Sequence, residues 1–143
     1  MNTLGSAGEN IIKEFEELRL KAYQDQGGVW TCGWGHTGSD VVEGTTCTPE
    51  QAEIWCQEDM QAAVRGVDDS LTTNVTQNQF DALVSFTFNV GVSAEAHSTM
   101  AKLINARSFA NAAAEFQKWD HVAGVRNAGL LRRRLAERAL FLS

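Results

Sequence analysis

Five glycines fall within twelve residues, at positions 27, 28, 33, 35 and 38, in a chain otherwise patterned for helices. Each glycine costs a helix about 1 kcal/mol relative to alanine, so no helix runs through this stretch. Tyr23, Val29, Trp30 and Thr31 favour extended backbone, and Gly27-Gly28 mark a turn between them. The stretch therefore reads as a β-hairpin or small sheet. On its N-terminal side Ile11, Phe15 and Leu18 repeat at i, i+4 and i+7, which predicts a first helix over about 8–19.

The remainder is helical. Thr48-Pro49-Glu50-Gln51 has a capping threonine, a proline suited to the first turn and a glutamine where a capping box needs it. A long helix is expected from there to roughly Leu71. Thr76-Gln77-Asn78-Gln79 repeats the box, an apolar stripe of Phe80, Leu83, Val84 and Phe88 follows, and Gly91 suits the residue after the helix end. Further helices are expected over about 97–106, 108–119 with Ser108 as cap, and 127–142. A chain of 143 residues suits one domain. The expectation is a single α+β domain over 1–143, with an N-terminal α/β lobe at about 8–46, a helical lobe at about 47–143 and a cleft between them.

Charge is unevenly spread. Residues 100–143 carry eight Lys and Arg against Glu115, Asp120 and Glu137, a net +5, which leaves −11 on residues 1–99. A basic C-terminal helix suits contact with an anionic wall or membrane, or simply a solvated face. Neither a charged start followed by an apolar run nor a bilayer-length apolar stretch is visible, so no secretory signal or membrane span is expected. The three cysteines, Cys32, Cys47 and Cys56, form no disulfide framework and read as reduced thiols. Together with His36 they lack the paired spacing of a zinc site, so no metal is expected.

Chemistry concentrates between Glu16 and His36. An acid closes the first helix, a second acid, Asp25, sits in the hairpin, and Thr31 lies on the return strand. Glycosidic cleavage needs one carboxylic acid to protonate the leaving oxygen and a second carboxylate on the other face of the sugar. On a helical wheel Glu17 points away from the apolar face, whereas Glu16 lies nearer its boundary.

The segment Glu16 to His36, with its Leu18-Arg19-Leu20, Tyr23, Asp25, Gly27, Thr31, Gly33, Gly35 and His36, resembles the phage-type lysozymes, or endolysins, of T-even and lambdoid phages (glycoside hydrolase family 24). The likeness continues in Asn78-Gln79-Phe80-Asp81-Ala82-Leu83-Val84-Ser85-Phe86, in Phe88-Asn89-Val90-Gly91 and in the ending from Arg132 to Leu142. One departure is Glu17, where the family usually has glycine. The resemblance implies a lysozyme-like fold and cleavage of the β-1,4 bond between N-acetylmuramic acid and N-acetylglucosamine. Glu16 is then the catalytic acid, with Asp25 and Thr31 holding the attacking water. Whether water or Asp25 attacks, and whether the bond is hydrolysed or cleaved without water, stays open.

The same resemblance makes His36 an active-site support, with a titrating surface histidine as the alternative. It places an arginine near the acid within Arg132-Arg133-Arg134; Arg133 stands for it, and which of the three faces the cleft is open. Phe88 and Asn89 are implied to line the cleft, and Trp34 is a candidate for stacking on sugar. Peptidoglycan is the implied partner, without cofactor or nucleic acid, and the protein is expected to be a monomer. Host cytoplasm until holin-dependent release to the periplasm and wall is the implied location.

Overall fold

The computed structural model describes residues 2–143; residue 1 of the domain expected over 1–143 lies outside them. Helix α1 (Ser6–Phe15) leads into strands β1 (Arg19–Gln24) and β2 (Trp30–Gly33). There follow α2 (Pro49–Ser70), α3 (Gln77–Val90), α4 (Val92–Ala96), α5 (Thr99–Asn105) and α6 (Phe109–Glu115), the last continued by a 3₁₀ turn over Phe116–Lys118. A second hairpin, β3 (His121–Val122) with β4 (Val125–Arg126), precedes α7 (Ala128–Leu142).

α3 is the centre of the molecule. Every residue from Asp81 to Thr87 is buried, so this helix is packed on all sides, and α1, α2 and α7 lean against it. The main core gathers Ile12, Met60, Leu83, Phe86, Phe116 and Phe141. A second, small cluster of Ala22, Cys32 and Val41, flanked by Trp30 and Trp55, sits under the β1–β2 sheet. α1, grouped with the sheet in the sequence reading, buries Ile12 in the helical core instead.

The start of α1 has no side-chain cap of its own. Asp81 supplies one from α3, with Gly5 N–H donating to Oδ1 at 2.9 Å and Gly8 N–H to Oδ2 at 3.1 Å. A Cβ at Gly8 would lie 2.8 Å from Asp81 Cβ, so glycine is what lets the helices cross this closely. The capping residues behave largely as read. Thr48 accepts from Gln51 N–H, Thr76 and Gln79 complete a reciprocal box, and Gly91 ends α3 at φ 99°. Ser108 differs: its hydroxyl accepts from the Asn111 side chain and caps no backbone N–H.

One boundary and two connections also differ. α1 stops at Phe15 rather than near 19, because Glu16 is already extended (φ −96°, ψ 112°) and Arg19 pairs with Gly33 in the sheet. The short α4 and the second hairpin interrupt what read as connections. All three cysteines are free thiols, with Cys32 and Cys47 sulfurs 3.4 Å apart. Among the described residues no helix is long and apolar enough to cross a membrane. α7 buries Arg133, Arg134, Glu137 and Phe141, while Leu135 and Leu142 are exposed.

Candidate active site

A cleft of about 810 Å³ opens between the β1–β2 turn, the end of α1, the second hairpin and α7. Its walls include Glu16, Asp25, Asn89, His121, Arg132 and Arg133. The two carboxylates reach it by different means.

Glu16 arrives through the helix end. Its N–H still donates to Ile12 carbonyl at 2.9 Å, but its extended backbone swings the side chain out of the helical path. Arg133 Nη1 donates to Glu16 Oε1 at 2.7 Å, a charge-assisted contact, and the Glu16 side chain is 17% exposed. Gly35 presses on the same carboxylate. At φ +83°, a Cβ there would collide with Glu16 Oε2, so both backbone conformation and space require glycine. Glu17 points away and pairs with Arg19 at 3.0 Å, both well exposed.

The loop that carries Gly35 is fastened by His36. Cys32 and His36 exchange backbone hydrogen bonds at 2.8 and 2.9 Å. The imidazole then lies between two carboxylates, Nδ1 at 2.8 Å from Asp59 and Nε2 at 3.1 Å from Asp40. It stacks on Trp55 with centroids 4.5 Å apart. Burial alone lowers its proton affinity, but hydrogen bonds to Asp59 and Asp40 outweigh that and hold the imidazole above its ordinary value. His36 thus fixes the loop behind Glu16 to α2 and does not line the cleft itself.

Asp25 is held by its own turn. Its Oδ1 accepts from Gly27 and Val29 N–H, both at 2.9 Å. Thr31 is buried next to it in the pairing of β1 and β2, and its hydroxyl donates to Val29 carbonyl at 2.9 Å. Val29 thereby ties Thr31 to Asp25 through one residue, its N–H to Asp25 and its carbonyl to Thr31. Across the mouth, Asn127 Nδ2 donates to Gln26 Oε1 at 2.8 Å, joining the hairpin turn to the start of α7.

Behind Arg133 lies a buried ionic cluster. Glu137 Oε2 accepts from Ser85 hydroxyl at 2.6 Å and Arg133 Nε at 3.3 Å, while Oε1 forms an ion pair with Arg134 Nε at 2.9 Å. Burial holds the Glu137 carboxyl above the usual carboxylate range, and Arg134, Arg133 and Ser85 oppose that only in part. Burial also brings Arg134 down to about 10, opposed by Glu137. Arg133 Nη2 donates to Ser85 carbonyl at 3.1 Å, and Arg134 Nη2 donates to Asn89 Oδ1 at 2.8 Å. Because a guanidinium only donates, Asn89 must present its oxygen to Arg134 and has its amide N–H groups for the cleft.

The cleft therefore brings together Glu16, Asp25, Asn89 and Arg133, with Thr31 bonded beneath the Asp25 turn. Arg132 also lines it, and Arg134 is fully buried, so the three arginines divide between cleft and core. Thr31 and His36 do not line the cleft, and two further candidates are elsewhere. Trp34 packs against the main core with Lys13 Nζ 5.6 Å above its ring. Phe88 lines a separate hollow of about 200 Å³ with Thr37 and Asp59. Sequence reasoning missed Ser85, Glu137 and the second hairpin. Arg133, Arg134 and Glu137 stand at i, i+4 and i, i+3 spacing, a visible signal that reads as surface charge until α7 is known to be buried on that side.

Comparison with known proteins gives one answer. The family described as Phage lysozyme matches residues 13–137. An endolysin of Bacillus phage B103 is 46% identical over 98% of this chain, and the chain spans about half of that relative's length (54%). The endolysin of Salmonella phage P22 is 40% identical over the whole of both chains. Among solved structures, the muramidase domain of SpmX from Asticaccaulis excentricus superposes with a TM-score of 0.88 at 38% identity, covering 100% of this chain and 99% of that one.

Proposed function

The chain belongs to the phage lysozyme family, and on that premise we propose that it is an endolysin muramidase acting on bacterial peptidoglycan. It hydrolyses the β-1,4 bond between N-acetylmuramic acid and N-acetylglucosamine. The observation that carries this reading is the pair of carboxyls on one cleft, Glu16 held by Arg133 and Asp25 held by backbone N–H groups.

In this reading Glu16 donates its proton to the bridging oxygen as the bond to the sugar C1 breaks. Asp25 Oδ1 is committed to the turn, so Oδ2 is the oxygen offered to a water. Thr31 spends its proton on Val29 carbonyl and contributes acceptor lone pairs to the same water. Asp25 takes one of the water's protons as the water oxygen bonds to C1, Thr31 accepts a hydrogen bond from the other, which stays on the new C1 hydroxyl, and the configuration inverts. Asn89 donates an N–H to an N-acetyl carbonyl, and the cleft takes the strand between the hairpin turn and α7. No cofactor takes part, and the protein acts as a monomer. It waits in the host cytoplasm until a holin admits it to the periplasm and wall.

The test is lysis of chloroform-permeabilised Gram-negative cells by the wild type and by Glu16→Gln, with the muropeptides read by mass spectrometry. Clearing by the wild type, a loss of roughly 10²–10⁴-fold in the variant and products with reducing muramic ends are expected. Anhydro ends would replace hydrolysis by transglycosylation. Equal clearing by both proteins would overturn the enzymatic reading and turn attention to the basic α7.

A further inference from the structure

The buried carboxylate of Glu137 has no part in the reaction as described, yet it meets both arginines that serve the cleft. It is 0% exposed, on the side of α7 that packs against α3. Arg133 runs from Glu137 to Glu16, and Arg134 runs from Glu137 to Asn89. Ser85 hydroxyl donates to Glu137 Oε2 at 2.6 Å, and the two adjacent guanidiniums favour the ionised carboxylate. Oε2 accepts from Ser85 and Arg133, while Oε1 is met by Arg134 as an ion pair without a hydrogen bond, so the charge faces two cations where it lies.

We infer that Glu137 is a positioning residue for the reaction: it holds Arg133 on Glu16 and Arg134 on Asn89, and its charge offsets theirs at the catalytic acid. This rests on the muramidase reading and deepens it. Glu16, Arg133, Arg134 and Glu137 form a cluster of two anions and two cations. Without the Glu137 charge, the arginines' field at Glu16 is uncompensated, and Glu16 gives up its proton at lower pH. Asn89 meanwhile loses the fixed partner that turns its N–H groups to the cleft.

Other charged and titratable groups also face Glu16. Glu14 and Glu17 flank it in the chain, Tyr23 approaches from β1 and Asp25 from the turn. Arg132 stands on α7, and Lys118 and His121 on the far wall. All of these are unchanged in the variants below, so differences among the variants report the 134–137 pair.

The experiment compares wild type, Glu137→Gln, Arg134→Gln and the double variant, each first shown folded by circular dichroism. Two readings are taken over roughly pH 4–9: kcat/KM on permeabilised cell walls, and the titration of the ¹³C-labelled Glu16 carboxyl by NMR. Glu137→Gln is expected to move the alkaline limb and the Glu16 midpoint toward acid by about one pH unit, a tenfold loss above the limb. Arg134→Gln is expected to move both toward alkali, and the double variant to return near the wild-type position with a raised KM. A folded Glu137→Gln with wild-type limb and midpoint overturns the proposal and makes Glu137 a packing group. Should Glu137→Gln not fold, Arg134→Gln against the double variant reads the same charge, and coincident midpoints overturn it. The NMR midpoint needs no turnover, so an inactive wild type would sink the muramidase reading while this inference is still decided.

Discussion

The two carboxyls of the cleft are held in opposite ways. Asp25 belongs to a turn closed by its own neighbours, Gly27 and Val29, and its residue is exposed. Glu16 depends on Arg133, 117 residues further on, and Arg133 in turn depends on a cluster buried between α3 and α7. The cores differ likewise. Three buried residues under the sheet contrast with a helical core that spans α1 to α7. A short local turn is enough to present the Asp25 carboxylate, because its free oxygen lies on an exposed residue. An acid kept against a guanidinium at the edge of a core needs the whole fold to hold its partner.

That contrast breaks most sharply at Asp25. Asp25→Asn keeps an oxygen for Gly27 and Val29 N–H, so the melting temperature should stay within about 2 °C of wild type. Lytic activity should nevertheless fall roughly 10²–10⁴-fold. A large drop in melting temperature would show that the turn leans on the charge after all. On the other side, Arg134→Gln strips one cation from the buried Glu137, and urea unfolding should register a loss of about 3 kcal/mol. A loss below about 1 kcal/mol would mean that the cluster is looser than its geometry.

The smallest effect is expected at His36, which fastens the loop behind Glu16. Its proton affinity is raised in the fold, so the ion pairs with Asp59 and Asp40 stabilise the protein fully below about pH 6.5, the unfolded value. The contribution is lost as pH rises through the folded value. Asp59→Asn should therefore lower the melting temperature by about 3 °C at acid pH, with the difference shrinking at alkaline pH. An offset that is the same at both ends would assign Asp59 to packing rather than charge.

Legibility follows the same division. The Asp25 turn, the hairpin and the Thr48 and Thr76 caps are local, and each was readable from adjacent residues. The end of α1 was not, because Leu18 continues the apolar spacing although it is 38% exposed and lies beyond the helix. What stops the helix is pairing of Arg19 with Gly33 and the pull of Arg133 on Glu16, both distant in sequence. The second hairpin turns through Ala123 and Gly124 at φ +50° and +81°, and its two-residue strands are too short for any alternation to register. The wheel that preferred Glu16 over Glu17 assumed a helix through both. The structure separates them by the Arg133 and Arg19 contacts instead. Asp81 had no task in the sequence reading, and its capping of α1 exists only in three dimensions.

The span from Glu16 to Arg133 also sets a clock. Translation at roughly 5–20 residues per second reaches the arginine roughly 6–23 s after the acid has been made. During that interval the nascent chain can form the hairpin and its Asp25 turn, but the acid has no guanidinium to seat it. Any chain released before residue 127 is added lacks Arg133, Glu137 and the Asn127 link across the mouth.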